Sequence, residues 1–149
     1  MAMSGVKCDD AVVTEYEDMK MKKKIKFLVL YVEDNKLIKV EREKFKEECP
    51  DAATGWWDTF EEFKASLPKD EPRYIVYDYQ LDNGVEKLVL MHWNPDNAKV
   101  KPKMIYASSI AVLKTKLIGI FANLSCCDMD ELEEKRLSAE IVKKMTKKD

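Results

Sequence analysis

A single histidine, His92, and four scattered glycines leave little from which a catalytic or phosphate-binding site could be built. Acyl-transfer and zinc-peptidase chemistry would show as GxSxG or HExxH, and phosphate cradling as clustered glycines whose amides converge. None of these spacings occurs. His92 falls in an alternating apolar segment, 88–93, where a satisfied histidine on a sheet is the better reading than a general base. The carboxylates lie in charge runs that suit solvated surface. No enzyme activity, metal or cofactor is expected.

A strong net charge is missing too. The 26 lysines and arginines offset 28 aspartates and glutamates to give -2, which argues against a dedicated nucleic-acid binder. The longest apolar run, 27–32, is far short of the ~20 residues that cross a bilayer. Residues 1–18 are polar and acidic and hold no apolar core of roughly 7–15 residues, as a secretory leader would. The cysteines are therefore expected as reduced thiols. Cys8, Cys49, Cys126 and Cys127 lack CxxC spacing, and the adjacent last pair is poorly arranged to share a tetrahedral zinc. They read as structural or bystander thiols.

What is present suits one domain, spanning 1–149, with its own core: 46% of residues are apolar and 9% aromatic. Residues 1–7 read as a flexible arm. Asp9 or Asp10 then caps a helix with the stripe Val12, Val13, Tyr16 and Met19. Apolar residues on both alternating faces of 27–32 predict a strand covered on both sides, and Asp34-Asn35 turns it into a second strand over about 37–40. A charged stretch, 41–48, and a break at 50–55 precede a short helix carrying Trp57, Phe60, Phe63 and Leu67. Two further strands, 74–77 and 88–91, are joined through Asp82-Asn83-Gly84, the strongest hairpin signal in the chain. A long helix from Pro102 to about 118, a short extended piece at 122–126 and a last helix over 130–145 follow, with a basic end. The expected fold class is α/β: a single-domain mixed β-sheet sandwiched between α-helices.

The most informative segment is 94–103. Lys99, Lys101 and Lys103 crowd a helix N-terminus that is already partly positive, where stability alone would favour Asp or Glu. Lys103 and Lys114, about three turns apart, share a face with Met104, Ala107, Ala111 and Ile118. Tyr106, Leu113 and Leu117 form a second stripe. Either one stripe packs on the sheet while the other meets a partner, or both are buried; periodicity does not choose between them.

Lys103-Met104-Ile105-Tyr106-Ala107-Ser108-Ser109 resembles the KMIYASS segment that opens the long helix of cofilins. Arg73-Tyr74 through Asp78-Tyr79, Trp93 to Ala98 and Ser4-Gly5-Val6 resemble the same family in order and spacing, so the likeness runs from Ser4 to about Met145. It implies the actin-depolymerising-homology fold and a cytoplasmic monomer on the actin cytoskeleton, with the nucleus as a further destination. Such a protein binds actin monomers and filaments, prefers ADP-bound subunits, and promotes depolymerisation and severing. Carried over residue by residue, the monomer-binding surface is Ser4, Gly5, Val6, Lys101, Lys103, Met104, Lys114 and Lys116. The filament-binding surface is Lys87, Glu140, Lys143 and Lys144. The resemblance also makes Ser4 an inhibitory phosphorylation site and phosphoinositides competitors for the basic surface.

Three departures stand out. Ser108-Ser109 is followed by Ile110-Ala111 where many cofilins have Lys-Asp. Val85 and Glu86 replace basic residues of the hairpin, and Ile141 stands where a basic residue is frequent on the last helix. A thin cationic surface on the filament side is expected. The alternative is a relative with the same fold, coactosin-like or glia-maturation-factor-like, that binds filament sides or the actin-branching complex without depolymerising. KMIYASS and the Ser4 arm favour the cofilin reading.

Overall fold

The computed structural model describes residues 5–49, 57–81, 84–132 and 134–146. The expected arm is described from Gly5 onward, and its inner end is not loose. Val6 is buried, and Lys7–Cys8 (β1) pairs in parallel with the strand at Leu37 and Ile38. Asp9 then caps α1 (Asp10–Lys22), its carboxylate accepting from the Ala11 amide. Val12, Tyr16 and Met19 repeat at helical spacing and are buried.

Six strands form one mixed sheet in the order β1-β3-β2-β4-β5-β6. β2 (Ile25–Glu33), β3 (Leu37–Phe45), β4 (Arg73–Gln80) and β5 (Glu86–Trp93) are joined antiparallel, while β6 (Ala122–Cys126) runs parallel to β5. β3 extends through the charged stretch that was expected to lie outside the sheet, and 46–48 forms a 3-10 turn after it. Among the hairpin residues Asp82-Asn83-Gly84, Gly84 is described; its φ of +87° is a conformation that side chains disfavour. Asp82 and Asn83 lie outside the described residues.

Two cores flank the sheet. On one face α1 and α3 (Val100–Lys116) cover Leu28, Leu30, Tyr74, Val76 and Leu90. On the other, α2 (Trp57–Ser66) and α4 (Glu134–Thr146) cover Phe27, Val29, Ile75, Tyr77 and Val89, with a 3-10 turn at Met129–Leu132 leading into α4. Alternate residues of each central strand therefore supply opposite cores, which explains why these strands read as apolar on both faces. Phe27 stacks on Tyr77 at 5.4 Å, and Phe60 meets the same ring edge-on at 5.6 Å. The single-domain α/β sandwich expected from the sequence is the architecture found.

Candidate functional site

α3 resolves the choice between its two stripes. Tyr106, Ser109, Leu113 and Leu117 face the sheet and are buried. Met104 is 65% exposed and Ile118 63% exposed, with Ala107, Ala111 and Lys114 exposed on the same side. The helix is fixed from beneath. The Tyr106 hydroxyl accepts from the Val32 amide at 2.8 Å, and the Tyr74 hydroxyl donates to the Tyr106 carbonyl. At its far end, Tyr16 Oη and Lys20 Nζ both donate to the Ile118 carbonyl, at 2.7 and 2.9 Å. Gly119 follows at φ +103°, where an added Cβ would stand 3.3 Å from the Lys20 side chain.

The N-terminus of α3 has neither a side-chain cap nor an acidic residue in its first turn. Lys101 and Val100 are exposed there, the latter 71%. Lys103 Nζ donates to the Pro95 carbonyl at 3.1 Å and lies 3.9 Å from Asp96, which holds the ammonium beside the helix start. Positive charge is thus concentrated where the helix dipole already repels it, an arrangement that attracts an anionic surface. Ile110, one of the departures named above, is half-buried against the α1 face.

Of the proposed monomer-side residues, the structure gathers Gly5, Lys101, Lys103, Met104, Lys114 and Lys116 on or beside the face that carries α3. β1 packs against α3, and the positive charge of Lys116 reaches the Cys8 thiol. Val6 differs from the others. It is a core residue that anchors the arm and offers no side chain to a partner. Ser4 lies outside the described residues.

The filament-side residues fall on the opposite face of the sheet. Lys87 is the second residue of β5, its ammonium 4.5 Å from the Phe121 ring centre. Glu140 and Lys143 are exposed on α4; the Lys144 side chain lies outside the described residues. Glu140 borders a cleft of about 270 Å³ together with Asn123, Ser125, Glu131 and Arg136. Arg136 was not singled out from the sequence. It stands one helical turn before Glu140, and that i, i+4 spacing was its available signal.

Two of the sequence departures need correction. Ile141 is wholly buried in the core beneath α4, so no basic side chain could occupy this position without losing that packing. Glu86 is not a free surface carboxylate. Lys46 approaches it at 3.1 Å and Lys23 at 3.6 Å, and both lysines also reach the fully buried Asp78, at 3.0 and 3.1 Å. Burial alone would pull the Lys46 ammonium down, yet its bonds to Asp78 and Glu86 outweigh that and hold it above the ordinary lysine range.

His92 is buried on β5 against Tyr74, with ring centres 5.3 Å apart. The expected satisfied histidine is not met at Nε2, which has no hydrogen-bond partner among the described residues. Burial, with added repulsion from Lys114 and Lys103, pushes its pKa down to about 4. A ring held neutral beneath a helix, and outside the cleft that Glu140 borders, is poorly placed for general-base work. The cysteines are free; burial pushes Cys8 up to about 11 and Cys126 up to about 12, which keeps both as thiols. The described residues contain no cluster suited to a metal ion and no helix long and apolar enough to cross a membrane.

Residues 5–142 match the family model described as cofilin/tropomyosin-type actin-binding protein. The chain belongs to the cofilin/actin-depolymerising-factor family. Cofilin of Yarrowia lipolytica is 35% identical over 138 residues, covering 89% of this chain and 83% of its own. Cofilin of Mycosarcoma maydis is 32% identical over 134 residues, covering 87% and 88%. Among solved structures, actin depolymerization factor 2 of Plasmodium berghei superimposes with a TM-score of 0.82 at 31% identity, over 95% of this chain and 99% of that one. Membership makes this an actin-binding protein with the family's fold, and the family's description names no catalytic activity.

Proposed function

We propose that this protein binds actin monomers through the outer face of α3 with the arm before Val6, binds filament sides through Lys87, Arg136, Glu140, Lys143 and Lys144, and promotes filament depolymerisation and severing. The observation that carries the reading is the division of α3 into two stripes. One is locked to the sheet, and the other leaves Met104 and Ile118 more than 60% exposed beside Lys103 and Lys114. A stable domain gains nothing from methionine and isoleucine in water, whereas a mixed apolar and basic face suits an acidic protein partner.

In this reading ADP-bound subunits are preferred, and phosphoinositide head groups compete for the lysines around the α3 N-terminus. The protein acts as a cytoplasmic monomer. A phosphate on Ser4 adds about -1.5 to -2 charge to the arm and opposes docking on an acidic surface.

The test is the double change Lys103→Ala with Lys114→Ala. Monomer affinity is expected to fall by about 1–3 kcal/mol, the range for a few interfacial charges. Thermal stability is expected to fall by about 1 kcal/mol at most, because Lys114 is exposed and the half-buried Lys103 gives up one hydrogen bond to the Pro95 carbonyl and a long contact to Asp96. Unchanged affinity in a folded variant removes α3 from the contact. Filament disassembly watched by microscopy over a range of protein concentrations separates depolymerisation and severing from simple side binding.

A further inference from the structure

Charged residues from four elements converge at one end of the sheet. Lys23 follows α1, Lys46 follows β3, Asp78 lies on β4 and Glu86 opens β5. Asp78 is fully buried, and both ammonium groups lie within 3.1 Å of its Oδ2 while also reaching Glu86. Lys26 adds a bond from the same end of β2, its Nζ donating to the Asp78 carbonyl at 2.7 Å.

The backbone points the same way. Lys23 closes α1 in the left-handed region at φ 58°, where glycine is the less costly residue. Its cap is a backbone bond to the Met19 carbonyl, so the side chain is not needed for helix termination. The Lys46 amide donates to the Lys24 carbonyl at 2.8 Å, which ties the two lysine-bearing segments together. Beyond Glu86, backbone bonds among the described residues of the hairpin tip run from the Leu81 amide to the Val85 carbonyl and from the Gly84 amide to the Leu81 carbonyl, each 2.8 Å.

We infer that Lys23 and Lys46, seated on Asp78, grip Glu86 and hold the β4–β5 hairpin in the orientation that presents Lys87 to a filament. The inference rests on the reading that this hairpin touches the filament. Lys23, Lys46 and Glu86 are then positioning residues, since they act on the partner through the hairpin. The grip spans segments far apart in sequence, so it ties the hairpin to the ends of α1 and β3, in addition to the β4–β5 ladder in which Gln80 pairs with Glu86 and Tyr79 with Lys87.

The sign of one substitution separates this from plain surface electrostatics. If Glu86 were only a negative charge facing an acidic partner, Glu86→Gln would raise filament affinity. If Glu86 is the handle of the grip, the same change lowers it. The experiment compares the wild-type chain with Glu86→Gln, Lys46→Gln and Lys87→Ala in filament co-sedimentation, monomer binding and native-state hydrogen exchange at residues 84–88. For Glu86→Gln, a fall in filament affinity of roughly twofold to fivefold is expected, the scale of one partly exposed ion pair. Faster exchange in the hairpin and unchanged monomer affinity should accompany it. Lys46→Gln should act in the same direction and more strongly, and it supplies the test if the first variant does not fold. Higher or unchanged filament affinity for Glu86→Gln overturns the inference. So does lower affinity without faster exchange, which would make Glu86 a direct contact. If Lys87→Ala leaves filament affinity intact while Glu86→Gln still loosens the hairpin, the filament reading of the hairpin fails and the grip is structural alone.

Discussion

His92 has a chemical consequence that its sequence context does not announce. Its folded pKa, pushed down to about 4 by burial and then by Lys114 and Lys103, lies below the ordinary histidine value near 6.5. The unfolded chain therefore binds a proton between those limits that the folded chain refuses. Stability from the neutral ring is fully present above about pH 6.5 and is lost as pH falls toward 4. Comparing wild type with His92→Gln in denaturant melts at pH 7 and pH 4.5 isolates this group from the carboxylates. Wild type should lose about 2 kcal/mol more than the variant over that interval. Equal losses would show that the imidazole is protonated in place. Lys23 and Lys46 make the complementary point. In sequence they are two lysines among many, and the buried carboxylate that gives them a role comes from a strand 30 or more residues away.

At the scale of elements, α3 carries the clearest separation of stability from binding. Leu113→Ala should cost about 2–5 kcal/mol of stability, because a fully buried leucine leaves a cavity beneath the helix. Met104→Ala should change stability by less than about 0.5 kcal/mol, yet weaken actin binding, since its side chain meets water in the free protein. Urea melts and monomer titrations on both variants check the pair; similar stability losses would mean that both stripes are packed. Helix existence was legible from spacing, as was the hairpin signal at Gly84. The continuation of β3 through Phe45 was not. Its run of four consecutive charges, Glu41 to Lys44, looks unlike a buried strand, but beyond the two-residue β1 this strand lies at the rim of the sheet. Rim strands tolerate charge and use it to discourage pairing with other chains.

Across the whole molecule, the two proposed surfaces lie on opposite faces of the sheet and differ in chemistry. The α3 face mixes lysines with exposed Val100, Met104 and Ile118. The α4 side relies on Lys87, Arg136 and Lys143 with Glu140 and Glu131 among them. Salt screens exposed charges beyond about 8 Å at 0.15 M but leaves apolar contact largely intact. Filament affinity should therefore fall more steeply than monomer affinity as salt rises from about 0.05 to 0.2 M. Co-sedimentation and monomer titration over the same salt series measure the two slopes; parallel slopes would place charge and apolar contact equally on both sides.

The sequence by itself determined the fold class, the order of the elements and, through KMIYASS, the family. Each of these depends on local periodicity, turn chemistry or a contiguous motif, all carried by neighbours along the chain. Tertiary structure decided which stripe of α3 meets solvent, because the same helical spacing serves a buried face and an exposed one. It also decided that Val6 and Ile141 belong to the core, and that Glu86 is held by Lys23 and Lys46 over Asp78. Burial and ion pairing are set by residues brought together from distant strands and helices, and no local pattern encodes those distances.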